Sequence, residues 1–511
     1  MGVLAGLKPE PVFHYFEEIC NIPHGSGNEK QLSDHIKEFA NKRNLTCIQD
    51  KCNNIIIIKE ATSGYEEEET MILQGHMDMV AVKDPESTLD MIKDPLCLEI
   101  DGDHITAKGT SLGGDDGIAV AYILALLDSK EIPHPRLEII LTVGEETGMD
   151  GAREIDLSML KGKRLLNLDN EEEGVILTSC AGGARAECRL PITLEKRRGI
   201  QLEIQVCGLK GGHSGAEIIK EGGNANCLMG RVLDALIQTT SVSLVSLVGG
   251  LADNAIPILS KAVIAVDKTE AAKCFDAASK IEKEIQTELA VKDPGVNVSV
   301  KCIDENVCIS GTGCTVSTDV TNLENLSAST EKQEEVYVNC LTQESMKKAV
   351  AYIMAMPNGI QAMSADVEGL VETSLNLGIM KLTEKELVLE YSLRSSLESS
   401  KEALIRKLKS ISALAEASVE ICGDYPGWAY KQLSPLRDKM IRVYEEIYGT
   451  KPRVEAIHAG LECGIISAKI NDLDCISYGP DMKNIHTTGE ELSIASVERV
   501  WEYLLEILKQ K

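Results

Sequence analysis

Residues 136–148 read Arg136-Leu-Glu-Ile-Ile-Leu-Thr-Val-Gly-Glu-Glu-Thr-Gly148. The largely apolar run to Val143 has the pattern of a strand buried on both faces. After one glycine it empties into two carboxylates, Glu145 and Glu146. In open α/β sheets, sites collect beyond the carboxyl ends of the strands, so a buried strand ending in acids points to such a sheet. The arrangement recurs along the chain. Thr70 to Gln74 is a short apolar run, with His76 just past its end and Asp78 two residues further on. Lys163 to Leu168 leads into Asp169, and Asp474 to Tyr478 shortly precedes His486. Asp115 instead follows the glycine turn in Leu112-Gly-Gly-Asp-Asp-Gly117 and precedes Ile118 to Leu127, a strongly apolar helix pattern.

Asp115, Glu146 and Asp169 with His76 and His486 make three carboxylates and two imidazoles. This mixed oxygen and nitrogen set suits two divalent ions, zinc or a similar borderline metal. Glu145 is left beside them to act as a base. Each island alone has a plainer reading: Asp-Asp-Gly is usually a turn or helix start, a Glu pair is usually a solvated face, and His486 is one of nine histidines. Their joint placement at strand and helix edges is what selects the metal reading.

The islands His-x-Asp, Gly-x-Asp-Asp-Gly, Glu-Glu-x-Gly and Asp-x-Glu resemble, in order and spacing, the motifs of the co-catalytic zinc peptidases. That family includes peptidase T, the glutamate carboxypeptidases and the aminoacylases. Within it the chain is most similar to the aminoacyl-histidine dipeptidase subgroup (Xaa-His, carnosinase-type). The residues carrying the closer likeness are Gly211-Gly-His-Ser-Gly215, Asp253-Asn-Ala-Ile-Pro257, Tyr391-Ser-Leu-Arg-Ser-Ser396, Asp424-Tyr-Pro-Gly-Trp428 and Ile457-His-Ala-Gly-Leu-Glu-Cys-Gly464. The resemblance runs from Pro9 to about Leu508.

The resemblance implies a division of labour. Asp115 would bridge two ions, with His76 and Asp169 completing one and Glu146 and His486 the other. Asp78 would accept the second imidazole hydrogen bond of His76 and fix its ring. A water between two cations loses its proton near neutral pH, and Glu145 would take that proton and pass it to the leaving amine. His213 would reach the substrate carbonyl, whose developing negative charge needs a donor. Asn254 and Arg394 would hold the substrate's carboxylate end, for which Arg is the natural bidentate partner, and the backbone around Gly460 would face the substrate. Because His213, Asn254 and Arg394 lie in an inserted segment, its closure would complete the site and exclude water. At position 169 the aminopeptidase-like members carry Asp and the carboxypeptidase-like members carry Glu, so Asp169 implies peptides with a free amino terminus. The alternatives are a deacylase or carboxypeptidase on the same scaffold and, from another class, a catalytically silent metal-binding scaffold. The cofactors implied are two divalent ions, zinc first, with cobalt or manganese able to serve.

Composition narrows the partners. The formal charge is −28 over 511 residues, which argues against nucleic acid, whose phosphates demand Lys and Arg, and against anionic membrane surfaces. The expected partner is a small peptide, with neither nucleic acid nor membrane, and a homodimer is left open. No apolar run approaches the roughly 18 residues a bilayer requires, and Met1 to Glu10 lacks a secretory h-region. The sixteen cysteines are scattered, without a Cys-x-x-Cys pair, as expected of free thiols in a reducing cytoplasm. No Gly-x-Ser-x-Gly elbow appears to support a serine nucleophile.

The expected fold is α/β: a mixed-sheet catalytic domain with helices on both faces, formed by 1–188 and 422–511, plus an inserted α+β lid at 189–421. Alternating helix and strand patterns up to about residue 188 carry the first part. Beyond it, Gln201 to Val206 and Glu386 to Leu393 alternate between two faces, as in a sheet with one wet side. Helix patterns are read at Asn224 to Thr239, Glu270 to Leu289, Glu335 to Met356 and Lys401 to Ala417. Two rounds of strand, helix and strand suggest a duplicated lid. Insertion is inferred because His486 follows Asp169 by more than 300 residues. Cys302 to Glu334, rich in Ser, Thr, Asn and Gly, reads as a loop excursion without chemistry.

Overall fold

The computed structural model describes residues 2–303 and 337–511, so all but the first two residues of the 302–334 excursion lie outside the described residues. The chain forms two compact units, Met1–Ala181 with Pro426–Lys511, and Gly182–Tyr425. The breaks fall at 181/182 and 425/426 rather than at 188/189 and 421/422. The reason is local: strands Gly182–Pro191 and Ser418–Tyr425 run unbroken and pair with each other, from Arg189 opposite Ser418 to Gly183 opposite Tyr425. A change in hydrophobic texture marks only the middle of such strands.

The first unit is built on an eight-stranded mixed sheet, in the order Thr46–Gln49, Ile55–Lys59, Leu137–Thr142, Met71–His76, Arg164–Asn167, Asp474–Ser477, Val175–Cys180 and Arg453–Ile457. The central neighbours run parallel: Met71–His76 beside Leu137–Thr142 and Arg164–Asn167, and Arg164–Asn167 beside Asp474–Ser477. Helices cover both faces. Ile55, Ile57, Leu73, Ile139 and Leu166 join the core made with helices Glu10–Cys20, Lys30–Lys42, Gly114–Asp128, Pro435–Tyr448 and Ile494–Lys509. Their alternates Ile56, Ile72, Ile140 and Leu165 join a second core with helix Glu462–Lys469. Double burial explains why these strands read as continuous apolar runs. Helix Gly114–Asp128 is apolar all round for the same reason, being buried from Gly114 to Leu127.

The second unit is an antiparallel sheet with one topology used twice. One half runs Ile200–Cys207, helix Ala225–Thr239, Val242–Gly249, Ser260–Val266, helix Ala271–Glu288 and Asn297–Cys302. The other runs Gly182–Pro191, helix Gln343–Ala355, Val371–Leu382, Glu386–Ser395, helix Glu398–Leu414 and Ser418–Tyr425. In each half the spatial order is last strand, first, third, second, and the halves join edge to edge where Val248 faces Lys381 and Gly249 faces Met380. The helix expected from Glu335 is shorter than its pattern. Tyr337–Leu341 is a strand, and Thr342 then caps the helix by accepting the backbone N–H of Ser345. Every cysteine among the described residues is a free thiol. Among the same residues no helix is long and apolar enough to cross a membrane.

Candidate metal centre

Three adjacent parallel strands deliver their C-terminal ends to one place in the first unit. His76 is the last residue of Met71–His76, Glu145 and Glu146 follow Leu137–Thr142, and Asp169 follows Arg164–Asn167. Asp115 joins them from the start of the buried helix, in a non-helical conformation (φ −82°, ψ 103°). That helix lies close against the strand at Gly75, where a Cβ would come within 2.7 Å of Asp116 Oδ2 and 2.8 Å of the Ala119 Cβ. A glycine is required there by the close approach.

The two carboxylate oxygens of Asp115 face two different imidazoles. Oδ1 is 3.2 Å from His76 Nε2, and Oδ2 is 3.1 Å from His486 Nε2. His76 Nε2 also lies 3.5 Å from Asp169 Oδ1, and His486 Nε2 lies 2.9 Å from Glu146 Oε1. The His76 ring is prepared for this role: its Nδ1–H donates to the Asp78 carbonyl at 2.9 Å, so in the neutral ring Nε2 keeps its lone pair. The donor atoms of Asp115, Glu146 and His486 lie within 4.8 Å of one another, as do those of His76, Asp116 and Asp169 and those of His76, Glu145 and Glu146. Asp116 Oδ2 accepts the backbone N–H of His76 at 3.1 Å, and its Oδ1 has no hydrogen-bond partner among the described residues.

The imidazole proton of His76 goes to the backbone carbonyl of Asp78 at 2.9 Å, and the Asp78 carboxylate Oδ1 stands 3.5 Å from the same Nδ1. That carboxylate is occupied by other donors: the N–H of Glu145 at 3.0 Å, the N–H of Glu146 at 3.3 Å and the hydroxyl of Ser26 at 2.8 Å. Asp78 therefore pins the turn that carries both glutamates.

The electrostatics describe a buried excess of negative charge. Burial alone would raise the Asp115 carboxyl, but the hydrogen bonds of His486 and His76 hold it well below the usual range. Burial disfavours the His76 imidazolium, yet Asp169, Asp115 and Asp78 outweigh it and push the ring well above its ordinary value. Hydrogen bonds to Asp115 and Glu146 raise His486 to about 10. Burial lifts Asp169 to about 6 against the pull of His76, and lifts Glu145 well above the carboxylate range. A donor set of imidazole nitrogen and carboxylate oxygen suited to a divalent ion is present on both sides of Asp115.

Two acids missed in the sequence support this cluster. Glu462 is fully buried; its Oε2 accepts from the Gln74 amide at 2.6 Å and the Thr142 hydroxyl at 2.5 Å, and burial raises its carboxyl to about 8. Its signal is a lone charge opening the otherwise apolar Glu462-Cys-Gly-Ile-Ile466 helix. Glu490, 3% exposed, accepts the backbone N–H groups of the Asp115 turn. Gly460 lies between strand Arg453–Ile457 and helix Glu462–Lys469 of the first unit, and its neighbour Ala459 accepts the N–H of Ala181 at 3.0 Å.

In the second unit, Gly212–His213 pairs with Ala255–Ile256, and Ser214 donates its N–H to the Asn254 carbonyl at 2.8 Å. Asn254 itself is exposed. His213 Nδ1 accepts the N–H groups of Gly215 and Ala216, both at 3.3 Å, so the neutral ring carries its proton on Nε2. Burial and Arg394 hold this imidazole below its ordinary value. Arg394 Nη2 lies 3.4 Å from His213 Nε2, with its N–H directed at the ring. Arg394 is 8% exposed, and its Nε has no hydrogen-bond partner among the described residues. Buried charges are normally paired, so this guanidinium is suited to an oxygen anion.

The profile of peptidase family M20/M25/M40 matches residues 72–510. The cytosol non-specific dipeptidase of Escherichia coli (strain K12) is 34% identical over 514 aligned positions, covering 100% of this chain and 99% of the relative. The crystal structure of aminoacylhistidine dipeptidase from Vibrio alginolyticus matches with a TM-score of 0.88 at 34% identity, over 99% of this chain and 97% of that one. Aminopeptidase PepT from Bacillus cereus shares the fold, with a TM-score of 0.55 at 15% identity over 98% of each chain. With its profile match over most of the sequence and a full-length relative at one third identity, the chain belongs to peptidase family M20/M25/M40.

Proposed function

We propose that this chain is a metal-dependent dipeptidase that hydrolyses short peptides with a free amino terminus, Xaa-His dipeptides such as β-alanyl-histidine among them. The observation that carries the reading is Asp115, one carboxylate whose two oxygens face two imidazoles at 3.2 and 3.1 Å. Two relatives of similar identity are named for dipeptide hydrolysis, one as non-specific and one as acting on aminoacyl-histidine. Zinc suits the mixed donor set, with cobalt or manganese as substitutes. A cytoplasmic location agrees with the cytosolic relative.

In this reading His76, Asp169 and Asp115 would hold one ion, and Glu146, His486 and the same Asp115 would hold the other. Bound cations would supply an acidified water and polarise the scissile carbonyl. Glu145, held by its N–H to Asp78, takes the proton of the attacking water on its carboxylate and returns it to the leaving amine. His213 donates Nε2–H to the carbonyl oxygen as negative charge develops there. Arg394 and Asn254 hold the substrate's carboxylate, and the backbone at Gly460 lines its path.

The experiment is a dipeptide panel, run on protein stripped by a chelator and then reloaded with zinc, cobalt or manganese. Release of histidine from β-alanyl-histidine that vanishes on stripping and returns with metal supports the reading. Preference for N-acylated over free amino termini would replace it with a deacylase, and no hydrolysis with any metal would leave a binding scaffold.

A further inference from the structure

Glu490 stands four residues after His486 and is almost wholly buried, at 3% exposure. Its carboxylate accepts four consecutive backbone N–H groups. Oε2 takes those of Leu112 at 2.8 Å and Gly113 at 3.0 Å, and Oε1 takes those of Gly114 at 2.8 Å and Asp115 at 3.3 Å. An ionised carboxylate has about four acceptor positions, and here a single turn fills them. The turn is shaped to do so. Gly113 adopts φ +69°, and a Cβ on it would meet Met79 Sδ at 2.7 Å, while a Cβ on Gly114 would meet Glu490 Oε1 at 3.2 Å.

The partner segment is equally fixed. Met482–Lys483 and Glu491–Ser493 pair antiparallel, with His486 on the loop between them. Leu492 then pairs with Ile105 in strand His104–Ala107. Glu490 closes this loop at its far end. It is thus the link between two segments whose side chains, Asp115 and His486, approach to 3.1 Å. Asp115 gets no such support from its own helix, because its backbone is non-helical. A charge satisfying a helix start would stabilise the fold and nothing more. Here the four amides belong to the turn that aims the bridging carboxylate, which gives Glu490 a consequence for metal binding.

We propose that Glu490 is a positioning residue of the metal centre: it anchors the Asp115 turn to the His486 loop, so that the ion shared by Asp115, Glu146 and His486 enters a site already in place. This rests on the metal-centre reading above. His486 serves only that ion, whereas His76 ends strand Met71–His76 and Asp169 follows strand Arg164–Asn167, and the hydrogen bonds of the Glu490 carboxylate go to neither segment. Its loss therefore falls unequally on the two ions. Removing groups that orient ligands typically costs about 10–100-fold in metal affinity.

Glu490→Gln keeps the shape but turns an NH₂ group towards backbone donors. Metal-free wild type and variant are titrated with zinc against a competing chelator, with bound equivalents counted by mass spectrometry and thermal unfolding followed in parallel. The expected result is two equivalents for wild type, and for the variant a loss of affinity at both, larger at the second, which falls at least about tenfold. Excess zinc should then restore kcat. Glu490→Asp, which keeps the charge but draws it back by one methylene, should weaken the same equivalent by less, and it serves if the Gln variant does not fold. Two equivalents of unchanged affinity in the variants, with only the unfolding temperature lowered, would reduce Glu490 to a brace of the fold. Wild type that binds no zinc would instead remove the metal-centre reading itself.

Discussion

The backbone N–H of Glu145 donates to the carboxylate of Asp78 at 3.0 Å. Because Asp78 also receives the imidazole proton of His76 on its backbone carbonyl, one residue fixes a candidate ligand and the candidate base together. Glu146, another candidate ligand, is held by the same carboxylate. Asp78 therefore sets the spacing between His76 and the Glu145–Glu146 turn.

Asp78→Asn should lower kcat by roughly tenfold or more while the His76 ring stays in place. The amide leaves one oxygen for the N–H groups of Glu145 and Glu146 and presents an NH₂ to the remaining donors, so the turn shifts by a fraction of an ångström. Misplacement of that order is costly in catalysis. Steady-state kinetics with metal counting checks this; unchanged kcat would mean that the turn is held elsewhere.

Glu145→Gln should abolish turnover with metal content nearly unchanged. The side chain keeps its shape but cannot accept a proton, removing a contribution of roughly 10²–10⁴-fold. A variant that retains more than about a tenth of wild-type kcat would exclude Glu145 as the base.

Arg394→Ala should weaken recognition of the peptide's carboxyl end. Losing a charge-assisted contact should cost roughly 10–100-fold in kcat/KM on dipeptides with a free carboxylate. The same dipeptides amidated at the C-terminus should lose far less, so the variant no longer distinguishes the two forms. Equal losses on both would limit Arg394 to bracing the sheet on which it stands opposite Ser374.

The strands that carry the centre were legible because burial on both faces leaves no polar alternation to obscure them: Leu137–Thr142 and Met71–His76 are apolar wherever they touch either core. Asp115 was legible from the glycines that precede it. Glu490 was not, because a Glu-Glu pair has the look of a solvated face, and its four partners lie more than 370 residues away in sequence. Asp78 was half legible: spacing places it beside His76, but only the folded turn shows that its carboxylate faces Glu145. The strand Tyr337–Leu341 was hidden within a helix pattern because five largely apolar residues cannot be told from a helical turn by periodicity alone.

The most direct test of the account is metal counting on Asp115→Ala. A carboxylate whose two oxygens face His76 and His486 serves both ions, so its removal should empty both positions together. Wild type reloaded with zinc should hold two equivalents by atomic emission or mass spectrometry, and the variant close to none at the same free zinc. One full equivalent retained by the variant at wild-type affinity would contradict the account, because Asp115 would then serve a single ion and the bridge would lie elsewhere.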